Sequence, residues 1–305
     1  MSFSVSQAVT QQISFAIPNT LIETSVFIKR DDLIDPLVSG NKWRKLKYNI
    51  EQAKFKGCKG ILTFGGAHSN HLLATAKACQ IEGLKAIGIV RGDELNPDSN
   101  QTLKDCAELG MKLHFVSRAE YQNRNEWDYQ LELKSAHSEF YIVPEGGSNF
   151  YGVIGCQEIM QEVQGEYDHV FVSGGTGTTA AGIILSTAKS TKIHVVSTLK
   201  GGFMKAAVVQ KLRLVSDIDE ESILDNVVFE DDYHFGGYGK VTLDLIHYLR
   251  ELNKNTGIQF DPVYTGKTMF ALTDLVSQNK IDINEKVLFI HTGGVQGMRG
   301  MDGLA

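Results

Sequence analysis

Lys42 stands where a turn, Ser39-Gly40-Asn41, gives way to a helical pattern carried by Trp43, Leu46, Ile50 and Ala53 and stopped by Gly57. The first turn of a helix already presents positive potential from its free amides. Arg44, Lys45 and Lys47 add more, so an ammonium ion at position 42 gives up its proton more easily than one in water. A neutral amine attacks an aldehyde. A lysine on a basic first turn is also an ordinary solvated residue, so the case for Lys42 depends on three other stretches.

The strand-like Val170-Phe171-Val172-Ser173 runs into Gly174-Gly175-Thr176-Gly177-Thr178-Thr179 and then the small-residue helix start Ala180-Ala181-Gly182. Glycines let backbone amides approach an anion, threonine hydroxyls add donors, and the helix start supplies favourable potential without a cation. The nucleotide P-loop needs a Lys before Ser or Thr, which is absent. Gly175-x-Gly177-x-x-Ala180 fits a dinucleotide fingerprint, but the next strand ends in Ser197-Thr198-Leu199-Lys200, with no acid for a ribose. A single phosphate on a smaller cofactor suits the loop better.

Thr63-Phe64-Gly65-Gly66-Ala67-His68-Ser69-Asn70-His71 is a second strand, glycine turn and helix start, rich in side-chain donors. It suits a substrate carboxylate, with Ser69 able to act as acid, base or nucleophile beside a basic group; Ser69 and Asn70 also read as plain helix caps. His68 and His71 have no third ligand at a telling spacing, so a metal is not indicated. Asp261-Pro262-Val263-Tyr264-Thr265-Gly266-Lys267, Ile290-His291-Thr292-Gly293-Gly294 and Gly236-Gly237-Tyr238-Gly239 each set a polar residue beside glycine. Alone they are weak signals: Tyr264 reads equally as packing, and His291 reads better as a satisfied core histidine.

These turns need strands to carry them. Apolar runs alternate with helical patterns along the chain: strands at 26–28, 60–64, 84–90, 112–116, 140–143, 170–172, 193–197 and 287–290, and helices at 69–82, 103–109, 126–135, 153–163, 180–188, 203–213, 241–253 and 267–278. Residues 1–20 are weakly patterned, and nothing before Val26 looks catalytic. The alternation predicts an α/β fold of open, twisted, mostly parallel sheets covered by helices, with ligands bound beyond the carboxyl ends of the strands.

With 305 residues, 42% of them hydrophobic, the chain can bury a large core. A net charge of -6 without long runs of either sign argues against nucleic acid or an anionic membrane as partner, and leaves a small molecule as the default. No signal segment or membrane span is evident, so a cytoplasmic protein is expected. Cys58, Cys79, Cys106 and Cys156 are widely separated and read as reduced, mostly core residues.

Taken in order, the lysine turn, the Gly-Gly-x-x-Ser-Asn turn, the glycine-threonine loop and Asp-Pro-Val-Tyr-x-Gly-Lys resemble the D-cysteine desulfhydrase and 1-aminocyclopropane-1-carboxylate deaminase family of pyridoxal-phosphate enzymes. The match runs from about Phe27 to Gly294 and implies the tryptophan-synthase-β-like fold, fold type II. The resemblance implies that Lys42 bonds to the cofactor's aldehyde, Asn70 holds its phenolic oxygen, and Gly174, Gly175, Thr176, Gly177, Thr178 and Thr179 bind its phosphate. Ser69, Asn70, His71 and His68 would meet the substrate, Tyr264 would lie against the pyridine ring, and Tyr238 would be a second active-site phenol. It further implies a homodimer, and a smaller α/β domain, residues 46–158, inserted into a larger one made of 1–45 and 159–305.

Thr265 and Thr292 stand where the deaminases carry Glu and Leu. A carboxylate would keep the pyridine nitrogen protonated and make the ring a strong electron sink, whereas a hydroxyl, here that of Thr292, leaves it nearer neutral. Opening a cyclopropane needs the stronger withdrawal. Expulsion of a β-thiolate needs less, so the expected reaction is elimination on a small D-amino acid, converting D-cysteine to pyruvate, sulfide and ammonia. The alternatives are the cyclopropane deaminase and a catalytically silent metabolite-binding homologue. Two departures bear on substrate: His68 replaces a common Gln, and Lys240-Val241-Thr242 replaces a Pro-containing turn after Tyr238.

Overall fold

The computed structural model describes residues 8–298 except 216 and 218; the expectation for residues 1–7 lies outside them. Ten strands are β1 (Thr10–Ala16), β2 (Glu23–Lys29), β3 (Gly60–Gly65), β4 (Lys85–Arg91), β5 (Met111–Val116), β6 (Phe140–Ile142), β7 (His169–Gly174), β8 (Lys192–Ser197), β9 (Val227–Glu230) and β10 (Val287–Ile290). They form a six-stranded sheet, β1-β2-β10-β7-β8-β9, and a four-stranded sheet, β5-β4-β3-β6. Every pairing is parallel except β1 with β2.

The helices are α1 (Asn41–Phe55), α2 (Asn70–Glu82), α3 (Gln101–Glu108), α4 (Arg118–Gln122), α5 (Trp127–Ala136), α6 (Phe150–Gln161), α7 (Thr178–Ser186), α8 (Met204–Leu212), α9 (Glu220–Leu224), α10 (Leu243–Thr256) and α11 (Thr265–Ser277). Strand alternation sends successive side chains to opposite faces. Phe171 and Phe289 pack with α10 and α11 on one face of the large sheet, while Val170, Val172, Leu288 and Ile290 pack with α6, α7 and α8 on the other. In the small sheet Ile61, Ala86 and Met111 meet α1, α2 and α3, and Leu62, Phe64 and Ile89 meet Tyr121 of α4 and Leu133 of α5. Both sheets are thus covered on both faces, which is why their strands read as continuous apolar runs.

Two contacts aim the chemistry-bearing segments. Helix α6 crosses α1 so closely that a Cβ on Gly155 would lie 1.8 Å from the Arg44 carbonyl oxygen. Gly40, at φ +60°, packs against the Thr292 carbonyl, which also accepts the Asn41 amide at 3.2 Å. The lysine turn is therefore clamped between α6 and the end of β10. Beneath it, buried Asp31 accepts from Arg44 Nε at 3.1 Å and Nη2 at 3.2 Å, and the Asp31 carbonyl accepts the Gly40 amide at 2.9 Å.

Three cysteines are buried and Cys58 is half-buried, all as free thiols. His291 is a satisfied core residue: Nε2 donates to the Gln259 carbonyl at 2.8 Å and Nδ1 accepts the Gly293 amide at 3.3 Å. Among the described residues no helix is long and apolar enough to cross a membrane, and no cluster of His, Cys, Asp and Glu could hold a metal.

Candidate active site

A cavity of about 630 Å³ opens between the carboxyl ends of the two sheets. Lys42, His68, Ser69, Asn70, His71, Gly175, Thr176, Gly177, Thr179, Tyr238, Tyr264 and Thr292 all line it, brought together from the turns after β3, β7 and β10, the start of α1, the segment between β9 and α10 and the approach to α11. Gly174 and Thr178 stand behind this lining. Gly174 packs on Met204, and the Thr178 hydroxyl lies 2.8 Å from Ser148 Oγ and 3.1 Å from Thr176 Oγ1.

Burial first, and then the ammonium of Lys45 one turn on, pull Lys42 from 10.5 to about 7. This corrects the expectation that Arg44 and Lys47 contribute. Both lie on the far side of α1 and are neutralised there, Arg44 by Asp31 and Glu162 and Lys47 by Glu158 at 2.5 Å. Helical spacing separates the two pairs: 42 and 45 share the cavity face, whereas 44 and 47 share the other.

Asn41, in sequence only part of the turn before the lysine, joins that lysine to the glycine-threonine loop. Its Oδ1 accepts from Lys42 Nζ at 3.0 Å while its Nδ2 donates to Thr179 Oγ1 at 2.9 Å. Lys45 was also missed as a site residue. It lines the cavity, is only 3% exposed, and burial lowers its ammonium's affinity for a proton.

Whether this site fits an aldehyde-bearing phosphate can be judged from its donors. The amides of Thr176, Gly177, Thr178 and Thr179 find no acceptor among the described residues. They open the N-terminus of α7, a helix start with positive potential. Gly177 has φ +78°, and a Cβ there would meet the Ala207 and Val208 backbone at 2.9 Å, so this bend accepts only glycine without distortion. A ring of unused amides at one end and a near-neutral lysine at the other match a phosphate and an aldehyde on one small molecule.

Helix α2 presents a second group of unpaired donors to the cavity. Ser69 is its N-cap, accepting the Leu72 amide at 3.3 Å, so the capping role is real; the hydroxyl proton and the amides of Asn70 and His71 find no acceptor among the described residues. His71 is 2% exposed. Its Nε2 lies 2.9 Å from Thr63 Oγ1, and Nδ1 has no partner. Burial, then Lys42 and Lys45, hold this imidazole neutral, well below its usual range. His68 is exposed at the rim.

Tyr264 begins α11 over a buried carboxylate. Asp261 Oδ1 accepts the Val263 and Tyr264 amides at 2.9 and 2.7 Å, and Oδ2 accepts the Thr265 amide and hydroxyl at 2.9 and 2.6 Å. The Thr265 hydroxyl is thereby engaged away from the cavity, leaving Thr292 to face it. The Tyr264 ring sits 3.1 Å from where a Cβ on Gly175 would be, and meets the Tyr238 ring edge-on at 6.3 Å. Burial raises the Tyr264 phenol, which stays protonated at neutral pH; Tyr238 is 54% exposed at the mouth of the cavity.

Tyr238 rides on a glycine loop held by Lys267, a fully buried lysine that donates to the carbonyls of His234 at 2.8 Å and Gly237 at 2.9 Å.

The chain resembles known proteins over almost its whole length. It is 34% identical to a putative 1-aminocyclopropane-1-carboxylate deaminase of Pyrococcus horikoshii over 286 residues, covering 90% of this chain and 86% of that one. It is 29% identical to a bifunctional D-cysteine desulfhydrase/1-aminocyclopropane-1-carboxylate deaminase of Arabidopsis thaliana, covering 97% and 79%. The crystal structure of an ACC deaminase homologue superposes with a TM-score of 0.77 at 28% identity, covering 95% of this chain and 90% of that one. The model of the family described as pyridoxal-phosphate dependent enzyme matches residues 9–293. With the cradle, the near-neutral lysine and these matches in agreement, the chain belongs to the pyridoxal-phosphate dependent enzymes, in the group named for D-cysteine desulfhydrase and 1-aminocyclopropane-1-carboxylate deaminase, and its cofactor is pyridoxal phosphate.

Proposed function

We propose that this enzyme catalyses α,β-elimination on a small D-amino acid, converting D-cysteine to pyruvate, sulfide and ammonia. The observation that carries the reading is the engagement of the Thr265 hydroxyl by Asp261, while Thr292, after the end of β10, is among the residues that line the cavity. A hydroxyl there suits departure of a thiolate better than opening of a cyclopropane. When bound, pyridoxal phosphate supplies an aldehyde that captures amino groups and a ring that withdraws electrons from the α-carbon.

We assign the phosphate to the amides of residues 176–179 with Lys45 as counter-charge, the phenolic oxygen to Asn70, the ring face to Tyr264, and the ring nitrogen to Thr292. The substrate carboxylate is assigned to the Ser69 hydroxyl and the amides of Asn70 and His71. Lys42, neutral above about pH 7, takes the α-proton. Asn41 holds its amine in line. The electron pair of the Cβ–S bond departs with sulfur, and the protonated Tyr238 phenol delivers a proton to it. His71, kept neutral, offers Nδ1 as an acceptor to the substrate without repelling its ammonium group.

The names of the relatives support cyclopropane deamination as the second reading. Assays of holoenzyme with D-cysteine, L-cysteine, D-serine, β-chloro-D-alanine and 1-aminocyclopropane-1-carboxylate separate the two. Sulfide release from D-cysteine far above all turnover of the cyclopropane is expected. Turnover of the cyclopropane alone rejects elimination, and a protein that binds cofactor but turns over none of the five is a silent binder.

A further inference from the structure

The wall of the cavity built by the small sheet carries more positive than negative charge. Three arginines line it, one after each of three turns of chain: Arg91 at the end of β4, Arg118 after β5, and Arg124 after α4. Two carboxylates line it as well, and each is already paired. Glu94 accepts from Arg118 at 2.6 Å, and Glu145 accepts from Arg124 at 2.8 Å. Arg91 has no carboxylate partner among the described residues. Its guanidinium, at the exposed end of β4, lies 5.9 Å from the centre of the Tyr121 ring, which Arg124 also approaches at 4.9 Å, and Tyr121 is 2% exposed.

Arg91 is aimed at the substrate side of the cavity. Its Nη2 is 3.5 Å from where a Cβ on Gly66 would be, so the guanidinium rests on the turn that leads to Ser69 and Asn70. A Cβ at Gly66 would meet nothing closer, so the approach is open. D-cysteine has one carboxylate, and the α2 helix start already supplies donors for it. A fork of N–H donors left over on the same wall fits a second set of anionic oxygens.

We propose that the preferred substrate carries an anionic group on its leaving group, a carboxylate or a phosphate, and that Arg91 binds it. The inference rests on the elimination reading and narrows its substrate class. For a phosphate leaving group the overall reaction balances: O-phosphoserine plus water gives pyruvate, ammonia and inorganic phosphate. The Cβ–O bond breaks with its electron pair going to the phosphate oxygen, Lys42 takes the α-proton, and no oxidant or reductant is needed.

The test compares O-phospho-D-serine, its L-enantiomer, D-cysteine and β-chloro-D-alanine on holoenzyme, with wild type and Arg91→Met and Arg91→Lys. The expected result is a higher kcat/KM for a phosphoserine than for either neutral substrate. In Arg91→Met that preference ratio falls about tenfold to a hundredfold, mainly through KM, with partial recovery in Arg91→Lys. A ratio that stays constant while kcat/KM falls for every substrate shows that Arg91 serves the common carboxylate, and overturns the proposal. So does a wild-type preference for the neutral substrates.

A second readout needs no turnover. At fixed ionic strength succinate raises the thermal midpoint of wild type more than propionate does, and Arg91→Met removes the difference; equal shifts in wild type overturn the proposal. Failure of the protein to bind pyridoxal phosphate rejects the elimination reading instead, and the thermal comparison still judges Arg91.

Discussion

Thr63 and His71 hold each other in one protonation pattern. The Thr63 hydroxyl gives its proton to the Val143 carbonyl at 2.8 Å, so it can only accept from His71, 2.9 Å away, and the His71 proton must sit on Nε2. That leaves Nδ1 as a bare acceptor on a buried ring that lines the cavity. A strand residue that does not line the cavity thus fixes the tautomer of one that does.

Thr63→Val keeps the shape and removes the acceptor. The buried His71 N–H is then unsatisfied, which costs about 1–3 kcal/mol of stability. The ring is free to turn, and kcat/KM is expected to fall about tenfold while cofactor affinity changes little. Urea unfolding measures the first effect, and steady-state kinetics beside a cofactor titration measure the second.

The lowered proton affinity of Lys42 has a signed consequence. Between about pH 7 and 10.5 the unfolded chain holds a proton on this lysine that the folded apoprotein does not. The contribution of the group to stability therefore rises with pH across that window and is least favourable below it. The difference in unfolding free energy between wild type and Lys42→Met is expected to grow in favour of wild type from pH 7 toward 10. The rate of cofactor uptake by apoprotein should rise through pH 7 as the amine becomes neutral. A flat rate between pH 6 and 8 contradicts the shift.

Gly177→Ala puts a Cβ on a residue at φ +78°, 2.9 Å from the Ala207 and Val208 backbone. Backbone strain alone costs about 1–2 kcal/mol, and relief of the contact must move the bend that presents the amides. The variant should fold with a lower melting temperature and bind pyridoxal phosphate at least about tenfold more weakly, read by fluorescence titration.

Much of the site was legible because each part sits on a strand-glycine-helix turn, a pattern carried by neighbouring residues. Lys42, Ser69, Asn70 and the residues from 174 to 179 all announce themselves this way. Asn41, Lys45, Thr63 and Lys267 do not, because their roles depend on partners far along the chain: Thr179 is 138 positions from Asn41, and Val143 is 80 from Thr63. Arg91 is visible only when β4, β5 and β6 converge on one wall. Strands β1 and β9 were missed for a related reason. Each is at an edge of the large sheet, where partial exposure weakens the apolar run that marks an inner strand.

Lys267 offers a test of positioning without contact to substrate. Lys267→Met leaves the carbonyls of His234 and Gly237 without their buried donor, about 1–3 kcal/mol for each. The loop carrying Tyr238 should loosen. Faster proteolysis between residues 234 and 240 and a kcat several-fold lower, with cofactor affinity retained, are expected. Normal kcat with a lowered melting temperature would mean that Lys267 serves stability alone.

A covalent bond between Lys42 and pyridoxal phosphate is the central expectation. Holoenzyme reduced with borohydride, digested and read by mass spectrometry should carry the reduced cofactor on the peptide containing Lys42, with Lys42→Ala carrying none. Label on Lys45 or Lys267 in wild type, or no label on protein that still turns over substrate, contradicts it.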